Sequence, residues 1–237
     1  MPQTPVYKAR REDLSRLIQY WTRDGLGVLT GTAPIFHLAH SWIALFLATN
    51  YQVHVIDCAI RFNVYRLIDE GNKLSFDIHE LLMIGKVQRA FTPYQILDAC
   101  NSILKEKRNP NKVYFILAPC KQFFDGDVKE QEGYFLLNKL ISVFASIQEK
   151  GIPFLAVESP KYKNKTFQLL FPILSGLANT KWEYDKLLLG RESFQRFQVY
   201  SRNSLIKNVE YELENSEGEE YGKNSRALFN GNAIHDR

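Results

Sequence analysis

The chain has 237 residues, 45% of them hydrophobic and 13% aromatic, with a net charge of +4. That is enough apolar material for one sizeable core. It excludes a membrane span: the apolar run Trp42–Ala48 falls far short of the roughly 20 residues required, and His37, His40 and Asn50 flank it. The predicted elements then follow in chain order. Leu14–Tyr20, after Asp13, reads as a short amphipathic helix. Leu26–Thr30 is a strand, His37–Thr49 a helix and Gln52–Asp57 a strand. Val64–Asp69 suggests a helical turn, Leu81–Ile84 a short apolar strand, and Pro93–Lys105 a helix opened by proline. Val113–Ala118 is a continuous apolar strand, Gln131–Lys150 a long helix ended by Gly151, and Pro153–Val157 another buried strand. After the loop SPKYKNKTF, Lys186–Leu189 and Phe194–Ser201 read as strands that close the sheet.

Unbroken apolar strands separated by helices imply an α/β fold, a mostly parallel sheet with helices on both faces. Residues 1–24 read as an N-terminal helical extension, 25–206 as the core and 207–237 as a polar, acidic, disordered tail. The charged start, MPQTPVYKARRED, has no apolar signal core and implies an intracellular protein. Cys58, Cys100 and Cys120 are isolated and lack C-x-x-C spacing, against a disulfide framework or zinc site. Seven acids and three bases lie from Glu210 onward, leaving 27 bases against 19 acids, so the body carries +8. A basic body with an acidic tail suits a polyanion partner, although ordinary solubility charge gives the same balance.

The order of these pieces resembles the RecA/recombinase core of the P-loop ATPases. The resemblance runs from about Gly25 to Ser201 and is carried by HLAHSWIALFLA, VHVIDCAIRFNVYRL, VQRAFTPYQIL, VYFILAP and FLAVES in sequence. It implies a phosphate loop between the first core strand and its helix, a water-activating glutamate after the second strand, and a metal-linked aspartate at the end of VYFILAP. A phosphate loop works because glycines let backbone N–H groups surround the phosphates, a lysine neutralises charge and a hydroxyl holds magnesium. Here the turn reads Gly31-Thr-Ala-Pro-Ile-Phe36. Pro34, Ile35 and Phe36, or Phe36, His37 and Leu38, occupy the glycine-lysine-hydroxyl positions, depending on the anchor. Ala59 is the best match to the glutamate position and Ala118 to the aspartate position. Three parts of phosphoryl-transfer chemistry are absent together. The expectation is a pseudo-ATPase with no cofactor and no catalytic or metal-binding residues.

Asp125, Asp127 and Glu130 lack the remaining ligands of a calcium loop and read as a solvated loop. His37 and His40 have no third metal ligand, and Ser41 lacks the G-x-S-x-G context of a hydrolase. Phe36-His-Leu-Ala39 matches the F-x-x-A pattern of recombinase protomer contacts, but falls at a helix start inside the core. The positive feature is ESPKYKNKTF, which by resemblance sits where recombinases carry their second DNA-binding loop. Lys161, Lys163 and Lys165 would meet phosphates, and Tyr162 and Phe167 would offer stacking rings. A plain solvated loop is an equal alternative. Lys8, Arg10 and Arg11 add more weakly to the basic surface. The expected function is a non-catalytic accessory protein in recombination or repair. Its partners would be single-stranded DNA, bound without sequence preference, another RecA-fold protein, or a second copy as a homodimer, with no membrane. Two alternatives are a protein-interaction module outside repair, as in SulA-like division inhibitors, and an ATPase with an atypical site.

Overall fold

The computed structural model describes residues 6–9, 11–77, 79, 83, 85–189, 192–202 and 209–213. Its core is an α/β domain with a mixed, mostly parallel sheet and helices packed on it. The strands are β1 (Val6–Ala9), β2 (Leu26–Thr30), β3 (Gln52–Asp57), β4 (Gly85–Arg89), β5 (Lys112–Leu117), β6 (Phe154–Glu158), β7 (Thr180–Leu189), β8 (Glu192–Ser201) and β9 (Val209–Leu213). The helices are α1 (Ile35–Ala48), α2 (Val64–Lys73), α3 (Pro93–Lys105), α4 (Glu130–Glu149) and α5 (Lys165–Gly176), preceded by a 3-10 helix over Arg11–Tyr20. Seven strands run in the order β8-β7-β2-β6-β5-β3-β4, and β9 and then β1 extend the β8 side. From β7 to β4 every pairing is parallel, with Val28 opposite Ala156 and Val55 opposite Phe115. β8 is antiparallel to both β7 and β9.

β2 and β6 are buried at every position, as strands covered on both faces must be. Alternate residues face two separate cores. Leu29, Val55, Phe115 and Val157 meet α1 and α2, whereas Val28, Ile56, Ile116 and Ala156 meet α3, α4 and α5. Thr92 caps α3 by accepting from Gln95 N–H, and Pro93 occupies its first turn, where a missing N–H costs nothing.

Several boundaries differ from expectation; the strand expected at Lys186–Leu189 begins at Thr180. A strand unread in the sequence lies at Gly85–Arg89, hidden because it is the sheet edge and is not apolar; Leu81, Leu82 and Ile84 of the expected strand Leu81–Ile84 lie outside the described residues. Residues before 25 are not an appendage. Leu17, Ile18 and Trp21 are core residues, Trp182 Nε1–H donates to Leu17 carbonyl at 3.1 Å, and β1 pairs with β9. That pairing also carries the sheet past residue 206, so the segment read as tail contributes a strand; residues 214–237 lie outside the described residues.

Parallel strands all deliver their C-terminal ends to one edge. Thr30, Asp57, Arg89, Leu117 and Glu158 end there, and the connections that follow them gather along the same rim. In open α/β sheets this is the rim at which ligands bind.

Candidate functional site

The turn after β2 is short because Gly31 turns the chain straight into α1. Gly31 has φ +143°, and a Cβ there would lie 1.9 Å from the Tyr184 carbonyl oxygen, so the turn is pressed against β7. Thr32 N–H and its hydroxyl both donate to Asp185 Oδ1, at 2.9 and 3.1 Å. Ala33 N–H donates to Tyr184 carbonyl at 3.0 Å, and Ile35 N–H to Ala33 carbonyl at 2.7 Å. The Thr32 hydroxyl in turn accepts from Lys186 N–H at 2.9 Å. Pro34 has no N–H to give. The amides of Thr32, Ala33 and Ile35 are therefore bonded to a carboxylate and carbonyls of the same chain. Ile35 is buried and Phe36 half-buried, with the Arg61 guanidinium 5.0 Å above the Phe36 ring.

Ala59 follows Asp57, and neither position offers a free carboxylate. Asp57 is wholly buried and accepts from Arg61 N–H at 2.8 Å, Phe62 N–H at 3.3 Å and Ala59 N–H at 3.4 Å, so it folds the loop after β3. Ala118, at the end of β5, is wholly buried and has φ +53°. The rim's other buried carboxyl comes from the neighbouring strand. Glu158, fully buried, accepts from Cys120 N–H at 2.7 Å and Ser159 N–H at 2.9 Å. Burial pushes its carboxyl up to about 7, against the pull of those bonds and of Arg61. Cys58 and Cys120 beside it are buried and their thiols are pushed up by desolvation, so both stay protonated. Glu158 braces the ends of β5 and β6. Sequence reasoning passed over it because a glutamate closing the apolar run FLAVE looks like a solvated strand end.

The loop after β6 splits by side chain. Lys161, Lys163 and Lys165 are exposed, and Lys165 is the first residue of α5, whose Asn164 cap accepts from Phe167 N–H at 3.1 Å. Tyr162 and Phe167 turn inward. Their rings pack 5.1 Å apart, and both pack on Phe124, at 5.1 and 5.5 Å. Phe167 is 2% exposed. This corrects the expectation of stacking rings: they anchor the loop on the core, because α5 begins inside it and carries Phe167 to the sheet. Asp125, Asp127 and Glu130 are exposed nearby, with Asp125 accepting from Gly126 N–H at 2.9 Å. Among the described residues, no group of three or more His, Cys, Asp or Glu side chains is placed to hold a metal.

A feature absent from the sequence reading lies on the other side of Arg61. A groove of about 810 Å³ runs between the start of α1, the loop after β3, α2 and the edge strand β4. Arg61, Arg66 and Arg89 line it together with Tyr65 and Ile60. His40 forms its floor as a satisfied core histidine. Its Nδ1 lies 2.5 Å from Phe36 carbonyl, its Nε2 accepts from Asn63 N–H at 2.9 Å, and burial lowers its pKa. The ring is therefore neutral, with the proton on Nδ1. Ser41 Oγ donates to Glu70 Oε2 at 2.8 Å and to the His37 backbone carbonyl at 3.4 Å. Arg89, in VQRAF, lies 23 residues beyond Arg66 and 28 beyond Arg61 of VHVIDCAIRFNVYRL, and the β3–β4 pairing brings them together.

No protein-family model and no curated protein matches the chain. No helix among the described residues is long and apolar enough to cross a membrane.

Proposed function

We propose that the chain is a RecA-like protein that has given up nucleotide and binds single-stranded DNA without sequence preference, as a non-catalytic accessory factor in recombination or repair. The observation that carries this reading is the exchange of roles at the rim. The turn that would hold phosphate is closed by Asp185 and Tyr184 of its own chain. The basic groups stand instead on the loop after β6, where Lys161, Lys163 and Lys165 are exposed on a base fixed by Tyr162 and Phe167. Glu158 and Asp57 do not serve as catalytic carboxylates in this reading, because their oxygens are committed to backbone N–H groups. Three lysines on a rigid base attract a polyanion through phosphate contacts and counterion release. They carry no base-edge readout, so binding is indifferent to sequence.

The test is the salt dependence of oligonucleotide binding. Three contacts at about −0.7 each give a log–log slope of roughly −2 for a single strand. Replacing Lys161, Lys163 and Lys165 by alanine is expected to remove that slope without unfolding the protein. Unchanged binding by the triple variant would take the loop out of the mechanism. A second reading, a protein-interaction module, is favoured by the exposed apolar side chains Phe135, Leu169 and Ile173 on α4 and α5. Failure of the intact protein to bind DNA at low salt would move the assignment there.

A further inference from the structure

We propose that the groove bounded by α1, α2 and β4 is a second part of the same nucleic-acid path, in which Arg61, Arg66 and Arg89 take phosphates and Tyr65 stacks on an unpaired base. This inference rests on the single-strand reading above and extends it to a surface on the far side of Arg61.

The charge is one-signed. None of the residues lining the groove is acidic, and none of its three arginines forms an ion pair among the described residues. The carboxylates around it are committed elsewhere: Asp57 to the backbone of its own loop, Glu70 to Ser41 and Lys73, and Glu158, which acts on Arg61, to the Cys120 and Ser159 amides. Guanidinium groups suit phosphates because their planar fork donates two parallel hydrogen bonds, and they stack on rings. The apolar side chains are displayed as well. Tyr65 is 76% exposed and Ile60 72% exposed. Ile60 also has φ +55°, a backbone state that costs a β-branched residue energy, and the Asp57 hydrogen bonds to the following amides hold it there. A strained, outward-pointing isoleucine beside an exposed tyrosine is poorly suited to water and well suited to the faces of bases.

The groove and the lysine loop adjoin. The buried Tyr162 hydroxyl lies beside Arg61, so one guanidinium borders both surfaces. In this proposal the single strand runs from the lysine loop to Arg61, and on to Arg66 on α2 and Arg89 on β4, which line the groove with it. An extended single strand fits this arrangement better than a mononucleotide does. The arginines are spread over three elements, and the turn amides that would hold a nucleotide's phosphates are already occupied.

The experiment is fluorescence anisotropy with the full chain and labelled oligothymidylates of increasing length. Arg66→Ala/Arg89→Ala is expected to weaken binding to long oligonucleotides and to flatten the log–log salt slope by about 1.4, two contacts at −0.7 each. Arg66→Lys/Arg89→Lys is expected to restore the slope. Tyr65→Ala is expected to weaken binding at least about fivefold. All three side chains are at the surface, and matched thermal melts identify each loss as one of binding. The proposal is overturned if the groove variants bind like the intact protein while the triple-lysine variant does not; the loop reading then stands alone. If no oligonucleotide binds the intact protein, both readings fall. Polyglutamate competing as well as oligothymidylate would make the groove a site for acidic protein segments, and ATP competing as well would make it a mononucleotide pocket; either result overturns the proposal.

Discussion

Gly31 is the residue on which the closed turn depends. It needs a left-handed φ, and the Tyr184 carbonyl fills the space where a side chain would begin. Gly31→Ala is expected to destabilise the protein by roughly 2–4 kcal/mol, combining backbone strain with a clash that only backbone movement relieves; urea unfolding measures this. Buried titratable groups shape the stability curve, with opposite signs. Glu158 is raised from the usual 4.5 to about 7 by burial. The native state therefore keeps its proton over that interval while the unfolded state loses it, and stability falls as pH rises from 4.5 to 7, by up to about 3 kcal/mol. His54, held down to about 4 by burial and by Lys86 and Lys112, acts the other way. Below 6.5 the unfolded state takes up a proton that the native state refuses, so stability falls as pH drops toward 4. The two trends offset one another between about 4.5 and 6.5. Glu158→Gln is expected to remove the alkaline decline, and His54→Phe to lessen the acidic one, to which the buried His40 also contributes, in denaturation curves recorded from pH 4 to 8. Retention of the alkaline decline in Glu158→Gln would show that another group sets it.

At the scale of elements, the β2–α1 turn and β7 form one unit, joined through Asp185. Asp185→Ala leaves Thr32 N–H and its hydroxyl without their acceptor and is expected to cost roughly 1–3 kcal/mol. It is not expected to create affinity for Mg-ATP, because Pro34 and Ile35 still lack donor and charge; calorimetric titration decides this. The strands β2, β3, β5 and β6 and the helices α1, α3 and α4 were legible because each is a continuous apolar run or a periodic one of sufficient length. The edge strand β4 was not: only one of its sides pairs, and its alternation, Gly-Lys-Val-Gln-Arg, resembles a loop. The start of α5 was hidden for a different reason. Its first turn carries Lys165 and follows two further lysines, so composition suggested a loop, while the Asn164 cap and the burial of Phe167 make it a helix. The same burial reassigns Tyr162 and Phe167, since sequence spacing does not reveal which way a ring turns. The three exposed lysines were legible as a basic cluster. The arginine groove was not, because Arg61 and Arg89 meet only through the parallel pairing of β3 and β4.

Across the whole molecule, the mostly parallel sheet delivers its strand ends to one rim, and the exposed lysines of the loop after β6 and the arginines of the groove stand along it. On the proposed reading, a turn closed by its own chain leaves no nucleotide to gate self-association. Light scattering is expected to give the same mass with and without Mg-ATP, whether that mass is a monomer's or a dimer's. Nucleotide-dependent filaments would contradict the closed turn. The most direct measurement is anisotropy of a labelled single-stranded oligonucleotide at low salt, titrated with the full chain in the presence and absence of Mg-ATP. The expected result is binding that weakens with salt at a slope of roughly −2 or steeper and is the same with or without nucleotide. Binding that appears only with Mg-ATP, or no binding in either condition, would contradict a nucleotide-independent single-strand binder.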